Sequence, residues 1–98
     1  MMTLQDVIDA AVTCPERYGR GLFFNGQNEP ICPLAKEVLG FGFREGKDGQ
    51  PEKVAAELLG CSRDDVWDFA YWWDARISNP MMSEMRAEKL RARGYRLP

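Results

Sequence analysis

Residues 54–74, VAAELLGCSRDDVWDFAYWWD, decide the fold because this stretch predicts two helices joined by a tight turn. Its first half carries small and apolar residues at helical spacing and stops at Gly60, a residue typical of helix C-termini. Ser62 precedes Asp65 by three positions, which is the pattern of an N-terminal capping box. The stretch therefore predicts a helix that ends near Gly60 and a second helix over about 63–77.

Residues 54–73 also resemble a helix-turn-helix motif. The matching positions are Ala55, Ala56, Leu58, Leu59, Gly60, Ser62 and Val66. The resemblance implies that the second helix enters the major groove of DNA. Its charge argues against this function, because helix 63–77 carries four Asp against two Arg, and phosphates attract positive charge. A helix-turn-helix DNA-binding regulator is therefore the alternative function, and a purely structural helical corner is the other interpretation.

Three further helices are predicted from capping residues and apolar spacing. The first covers about 4–14, where Thr3 and Asp6 form a capping box. The others cover about 33–39 and 80–93, and each begins with a proline, which suits the first position of a helix. The fold class expected is mainly α, with about five short helices.

One small β-hairpin is predicted over about 22–31. Its signal is the Asn-Gly pair at 25–26, which favours a two-residue turn between paired strands. Leu22–Phe24 would then pair with Glu29–Ile31. Residues 40–50 hold four glycines and are predicted to be a connecting loop.

The predicted core draws apolar residues from all five helices. It comprises Val7, Ile8, Ala11, Leu34, Val38, Leu58, Val66, Phe69, Trp73, Met85 and Leu90. Met81 and Met82 are also expected to face inward, and Phe41 and Phe43 are expected to hold the glycine-rich loop on the core.

Length and charge favour a single helical domain over residues 1–98. The net charge of −2 divides unevenly, since residues 1–79 carry −5 and residues 80–98 carry +3.

The chain has no apolar run near the roughly 18 residues of a membrane span. Asp6 and Asp9 lie where a signal peptide has basic and apolar residues. We therefore expect a cytoplasmic protein that does not contact membranes.

The residue inventory argues against an enzyme and against a cofactor or metal site. The chain has no histidine, and its three cysteines, Cys14, Cys32 and Cys61, are too widely spaced for a zinc motif. Without histidine there is no Ser-His or Cys-His pair. We expect three reduced cysteines, no catalytic residues and no bound cofactor.

The candidate partner-binding residues all lie on helix 63–77. They are Asp64, Asp65, Trp67, Asp68, Tyr71 and Trp72. Five aromatic residues within seven positions point all round one helix, so either other elements cover Trp67, Tyr71 and Trp72 or these side chains form a partner surface. The acids are expected to form a solvated face. The basic residues Arg86, Lys89, Arg91 and Arg93 are expected to be a solvated helix end, or else to contact an acidic or phosphate-bearing partner.

The whole chain resembles a loose group of small uncharacterised proteins from actinobacteria and their phages. The resemblance rests on the N-terminal apolar helix face, the segment at 32–39 and the Trp-x-Asp element, here Trp72-Trp73-Asp74. It implies a small helical fold and a phage or mobile-element source, and it implies no activity. With the aromatic surplus, it favours a small non-enzymatic protein-binding module, such as a phage-encoded modulator or inhibitor of a host protein.

Overall fold

Helices form all the regular structure in residues 2–98, the part of the chain that the computed structural model describes. The four α-helices are α1 (Leu4–Thr13), α2 (Pro51–Leu59), α3 (Arg63–Asp74) and α4 (Pro80–Ala92). A short 3-10 turn, Pro15–Arg17, follows α1, and a π-helical segment, Ala35–Leu39, precedes the glycine-rich loop. The predicted mainly helical fold is confirmed.

Capping residues place the helix boundaries close to those predicted. Thr3 Oγ1 accepts a hydrogen bond from Asp6 N–H at 3.2 Å, and an Asp6 oxygen accepts from Thr3 N–H at 2.9 Å, which completes the capping box. Gly60 ends α2 with φ 67°, a left-handed conformation that favours glycine. Ser62 Oγ accepts from Asp65 N–H at 3.1 Å, but the Asp65 carboxylate does not return the bond.

The predicted β-hairpin over 22–31 is wrong. The described residues contain no strand there, only one antiparallel bridge between Phe24 and Pro30. Phe23 has φ 66°, and Phe24 N–H donates back to the Leu22 carbonyl at 2.9 Å, so the chain turns tightly where a strand would extend. Pro30 has no N–H to add to a ladder. The segment is therefore a folded loop rather than a hairpin.

Helix α3 lies at the centre of the core. Its buried residues are Asp65, Val66, Asp68, Phe69, Ala70, Trp72 and Trp73. Trp73 is completely buried, and its indole Nε1–H donates to the Gly19 carbonyl at 2.8 Å. Trp72 is only 4% exposed, so the expectation that it would be available to a partner is wrong. Helix α4 lies close to the backbone of α3 at this position, where the Ser83 hydroxyl donates to the Trp72 carbonyl at 2.7 Å.

Most of the predicted core is confirmed, but four apolar residues expected inside lie outside. Leu58, Met81, Met85 and Phe41 are 52%, 84%, 51% and 73% exposed. On α4 the buried residues are instead Ser83, Ala87 and Leu90. Small side chains therefore face α3, and two of the methionines of α4 face away from it.

The described part of the chain packs around one hydrophobic cluster. Its Cα radius of gyration is 12.4 Å, close to the value of about 13 Å that a compact domain of this length has. None of the helices within residues 2–98 combines the length and the apolar character that a membrane crossing requires.

Burial of the tryptophans predicts the order of their effects on stability. We expect Trp73→Ala and Trp72→Ala each to lower the free energy of unfolding by about 3–5 kcal/mol, because each removes a buried indole. Trp67→Ala should cost distinctly less, since Trp67 is only half-buried. Urea denaturation followed by circular dichroism measures all three. Equal losses for Trp72→Ala and Trp67→Ala would contradict the deeper burial of the Trp72 indole.

Candidate functional site

An ion-pair network joins α3 to α4. Asp68 lies on the buried side of α3, and each of its carboxylate oxygens accepts from a different arginine of the last helical region. Arg86 Nη1 donates to Oδ1 at 2.8 Å, and Arg93 Nη2 donates to Oδ2. The Asp68 side chain is 6% exposed, whereas Arg86 and Arg93 are 26% and 36% exposed. The negative charge is therefore buried and its two cations reach the surface.

Asp65 extends this network by one turn of α3. Its Oδ1 lies 3.1 Å from Arg93 Nη1, and its Oδ2 accepts from the Tyr95 hydroxyl at 2.7 Å. Burial and the Asp65 carboxylate raise the pKa of Tyr95 above its ordinary value. Burial alone lowers the pKa of Arg93, but the hydrogen bond to Asp68 and the nearby Asp65 raise it on balance. The network therefore keeps Arg93 charged and Tyr95 protonated.

These contacts correct the expectation that the acids and bases are separately solvated. Asp65 and Asp68 are buried and paired, so the predicted solvated acidic face of α3 is wrong at these two positions. Arg86 and Arg93 are their partners, so the predicted solvated end of α4 is wrong for both arginines. Part of the opposite charge of residues 1–79 and 80–98 is therefore paired inside the molecule.

A groove with a volume of about 410 Å³ opens beside this network. It lies between the N-terminal half of α3 and the C-terminal half of α4. Its lining residues are Asp64, Trp67, Asp68, Arg86, Lys89, Ala92 and Arg93. The groove is polar and charged along α4 and aromatic at Trp67.

An aromatic ladder meets this groove at Trp67, which is the ladder residue that lines it. The Phe23 and Trp67 rings meet edge to face with centroids 5.8 Å apart, and the Trp67 and Tyr71 rings stack at 5.5 Å. The Arg86 guanidinium lies over the Tyr71 ring, 4.7 Å from its centroid. Trp67 and Tyr71 are both half-buried. Each therefore has a fixed position and still presents part of its ring to solvent.

Two charges at the groove have no partner within the described residues. Asp64 is exposed and makes no ion pair there, and the Lys89 ammonium group makes neither an ion pair nor a hydrogen bond. Both residues line the groove together with Trp67, Asp64 from α3 and Lys89 from α4. A bound molecule would therefore meet one free carboxylate and one free ammonium group.

An apolar stripe lies on the outer face of α4 and in the turn before that helix. Ile77, Met81 and Met85 are 74%, 84% and 51% exposed. From Met85 the same face continues to Lys89 and Ala92, at steps of four and seven residues, and both line the groove. Met81 and Met85 therefore lie on the same face of α4 as the groove residues Lys89 and Ala92, and the apolar stripe is defined as these two methionines together with Ile77.

The structure brings together half of the predicted partner-binding residues at the groove. Asp64, Trp67 and Asp68 line it, and Tyr71 adjoins it through Trp67. Asp65 and Trp72 are buried beneath α4 and the segment after it.

The candidate partner-binding residues all lie on helix 63–77, so they do not include the other side of the groove, which is Arg86, Lys89, Ala92 and Arg93. The sequence predicts Arg86, Lys89 and Arg93 only as a solvated helix end or as a contact with an acidic or phosphate-bearing partner. The available signal was the opposite charge of the two helices, which predicts that they attract each other.

The groove lining is charged and aromatic. Its lining contains no cysteine, serine or threonine, and Asp68 is engaged by two arginines. Among residues 2–98, no three histidine, cysteine, aspartate or glutamate side chains are grouped as metal ligands would be. The three cysteines are free, with Cys32 buried and the other two half-buried.

Comparison with known proteins gave no match: no family model, no curated protein and no solved structure is significantly similar to the chain. The resemblance to small actinobacterial and phage proteins therefore stays a prediction. The geometry of the molecule is therefore the basis for a functional proposal.

Asp68 pairs with both arginines of the network, so the packing of α4 on α3 depends on its carboxylate. We expect Asp68→Ala to lower the free energy of unfolding by about 2–3 kcal/mol, somewhat less than the loss of one partner costs in a completely buried pair, because both arginines reach solvent. Asp64→Ala removes the same group from an exposed position of the same helix and should cost less than about 1 kcal/mol. Urea denaturation compares the two variants. Equal unfolding midpoints would show that the network adds nothing to stability.

Proposed function

We propose that the protein is a small non-enzymatic protein-binding module, and that it binds through the groove and the apolar stripe. The observation that carries this proposal is the ladder of Trp67, Tyr71 and Arg86, which is fixed by stacking and still open to solvent. Binding hot spots are enriched in these three residue types. Rigid aromatic side chains lose little conformational freedom on binding, so more of the contact energy is kept.

The composition of the neighbouring stripe supports the same function. Methionine and arginine, like aromatic residues, are enriched in protein interfaces relative to the rest of protein surfaces. Met81 and Met85 are exposed although helix α4 already has an inner apolar face, and their flexible side chains adapt to partners of different shape. A helix with apolar residues on two opposite faces is typical of an element that packs on both sides.

The usual size of a protein interface supports a binding surface that includes both the groove and the apolar stripe. A stable complex covers about 800 Å² on each partner. The accessible surface here is 5529 Å², so such an interface occupies about one seventh of it. A groove of about 410 Å³ accommodates only a few side chains of a partner. The proposed interface therefore includes Ile77, Met81 and Met85 at its apolar end.

Such a module acts by occupying a surface of its partner. This is the behaviour of a modulator or inhibitor, and a phage-encoded modulator of a host protein is one instance. Asp64 on α3 and Lys89 on α4 favour one orientation of a partner, because unpaired charges of opposite sign on the two helices of the groove must meet complementary charges.

The packing of α3 favours a protein partner over the alternative, a DNA-binding regulator. A recognition helix must present a free face to the major groove. Here α4 covers one side of α3, the core covers another, and the exposed first turn presents Asp64 beside Arg63. The tight turn at Gly60 is therefore sufficiently explained as a helical corner.

Duplex DNA tests this alternative. We expect no binding tighter than about 1 µM at physiological salt, because affinity for DNA depends on neutralising phosphates. Fluorescence anisotropy with a mixed-sequence duplex, at two salt concentrations, measures it. Tighter binding that weakens steeply with salt would favour the regulator.

Charge inversion at the groove tests the proposed interface. The protein is immobilised and used to capture proteins from a lysate of its natural cells. We expect Asp64→Lys with Lys89→Glu to reduce the retained partner at least about tenfold, because both charges would then repel their counterparts. The matched control inverts Lys53 and Glu57, a similarly exposed pair on α2.

Circular dichroism establishes that both double variants are folded. The proposal requires a partner that the control retains and the groove variant loses. Equal retention by the two variants would exclude the groove, and capture of no protein by the unaltered chain would count against a binding module.

A further inference from the structure

Two arginines stack on tryptophan rings at the C-terminal end of α3, at the other end of that helix from the groove. The Arg20 guanidinium carbon lies 3.9 Å from the centroid of the Trp73 ring. The Arg76 guanidinium carbon lies 4.8 Å from the Trp72 centroid and 5.9 Å from the Trp73 centroid. Since Trp73 is shared, the two guanidinium carbons are at most 9.8 Å apart.

Neither arginine has an acidic partner. Within residues 2–98, neither side chain is within 4.0 Å of a carboxylate oxygen, and neither donates a hydrogen bond to a side chain or to the backbone. Asp74 is the acid whose negative charge acts on Arg20. Burial and the Arg76 charge lower the pKa of Arg20, and Asp74 offsets this only in part. The two cations therefore repel each other and keep all their N–H donors free.

Stacking on the tryptophan rings alone does not explain why two arginines lie together here. A single cation complements the negative pole at the end of α3 and covers an indole face. A second cation beside it adds repulsion that an oxyanion between the two guanidinium groups would relieve. Each guanidinium group offers a planar fork of N–H donors that matches the oxygens of phosphate or carboxylate.

We propose that Arg20 and Arg76 form a binding site for a phosphate group. A phosphate monoester carries about −1.5 to −2 charges at pH 7, which matches two guanidinium groups better than the single charge of a carboxylate. The tryptophan rings hold both cations in place before the anion arrives, so little side-chain freedom is lost on binding. Arg20 is exposed and Arg76 half-buried, so the anion reaches both from solvent.

Nuclear magnetic resonance of the arginine side chains tests the site. Inorganic phosphate is titrated into the folded chain at constant ionic strength, and the Nε–Hε signals of Arg20 and Arg76 are followed. We expect both signals to shift together and to saturate. Acetate, with one charge, should bind about tenfold more weakly.

Substitutions complete the test. Arg20→Gln and Arg76→Gln should each weaken phosphate binding at least about tenfold, because one fork is lost. Arg96→Gln removes the same charge from an exposed position outside the pair and should leave the affinity unchanged. Asp74→Asn should tighten binding several-fold, because the competing carboxylate is removed.

The expected pattern separates a site from general attraction of anions. Saturable shifts that are lost in both Arg→Gln variants and kept in Arg96→Gln support the proposal. Absence of saturation, an equal loss in Arg96→Gln, or acetate binding as tightly as phosphate would overturn it. If Asp74→Asn leaves the affinity unchanged, Asp74 has no influence on the pair and the electrostatic argument fails.

Discussion

The buried carboxylate of Asp68, shared between Arg86 and Arg93, is the interaction on which the arrangement of α3 and α4 depends. Two charges of α3 enter the interior because α4 and the segment after it bring two cations to meet them. A buried carboxylate without such a partner is strongly destabilising, so other registers of α4 on α3 are disfavoured. The groove, whose lining residues come from both α3 and α4, exists only in this arrangement.

Small residues on the inner face of α4 have a direct effect on its outer face. Ser83 and Ala87 allow close approach to α3, and Leu90 is the one large apolar side chain buried from this helix. Met81 and Met85 are thus not needed for the core and remain at the surface. The polar network takes over part of the role that apolar burial has in most helix pairs, and the apolar residues become available for contact with another molecule.

Features that depend on a few neighbouring residues could be predicted from the sequence. The caps at Thr3 and Ser62 and the left-handed turn at Gly60 involve partners within four positions. Long-range features could not be predicted, because Asp68 meets partners 18 and 25 residues away. The hairpin prediction failed because the Asn-Gly signal is local and says nothing about Phe23, whose backbone conformation prevents a strand. The methionines were misplaced because apolar residues occupy both faces of α4.

The weak apolar attachment of α4 has a thermodynamic consequence. Helix α4 contributes Met81 and Met85 to the apolar stripe and Arg86 to the buried network, and Arg93 follows it directly. Docking of the proposed partner and the packing of α4 on α3 would therefore be linked equilibria. Any ligand that binds only the closed arrangement stabilises it in proportion to its concentration and affinity. By reciprocity, a substitution that loosens α4 lowers the apparent affinity for a partner without touching the contact surface. In this molecule, fold stability and affinity would therefore change together.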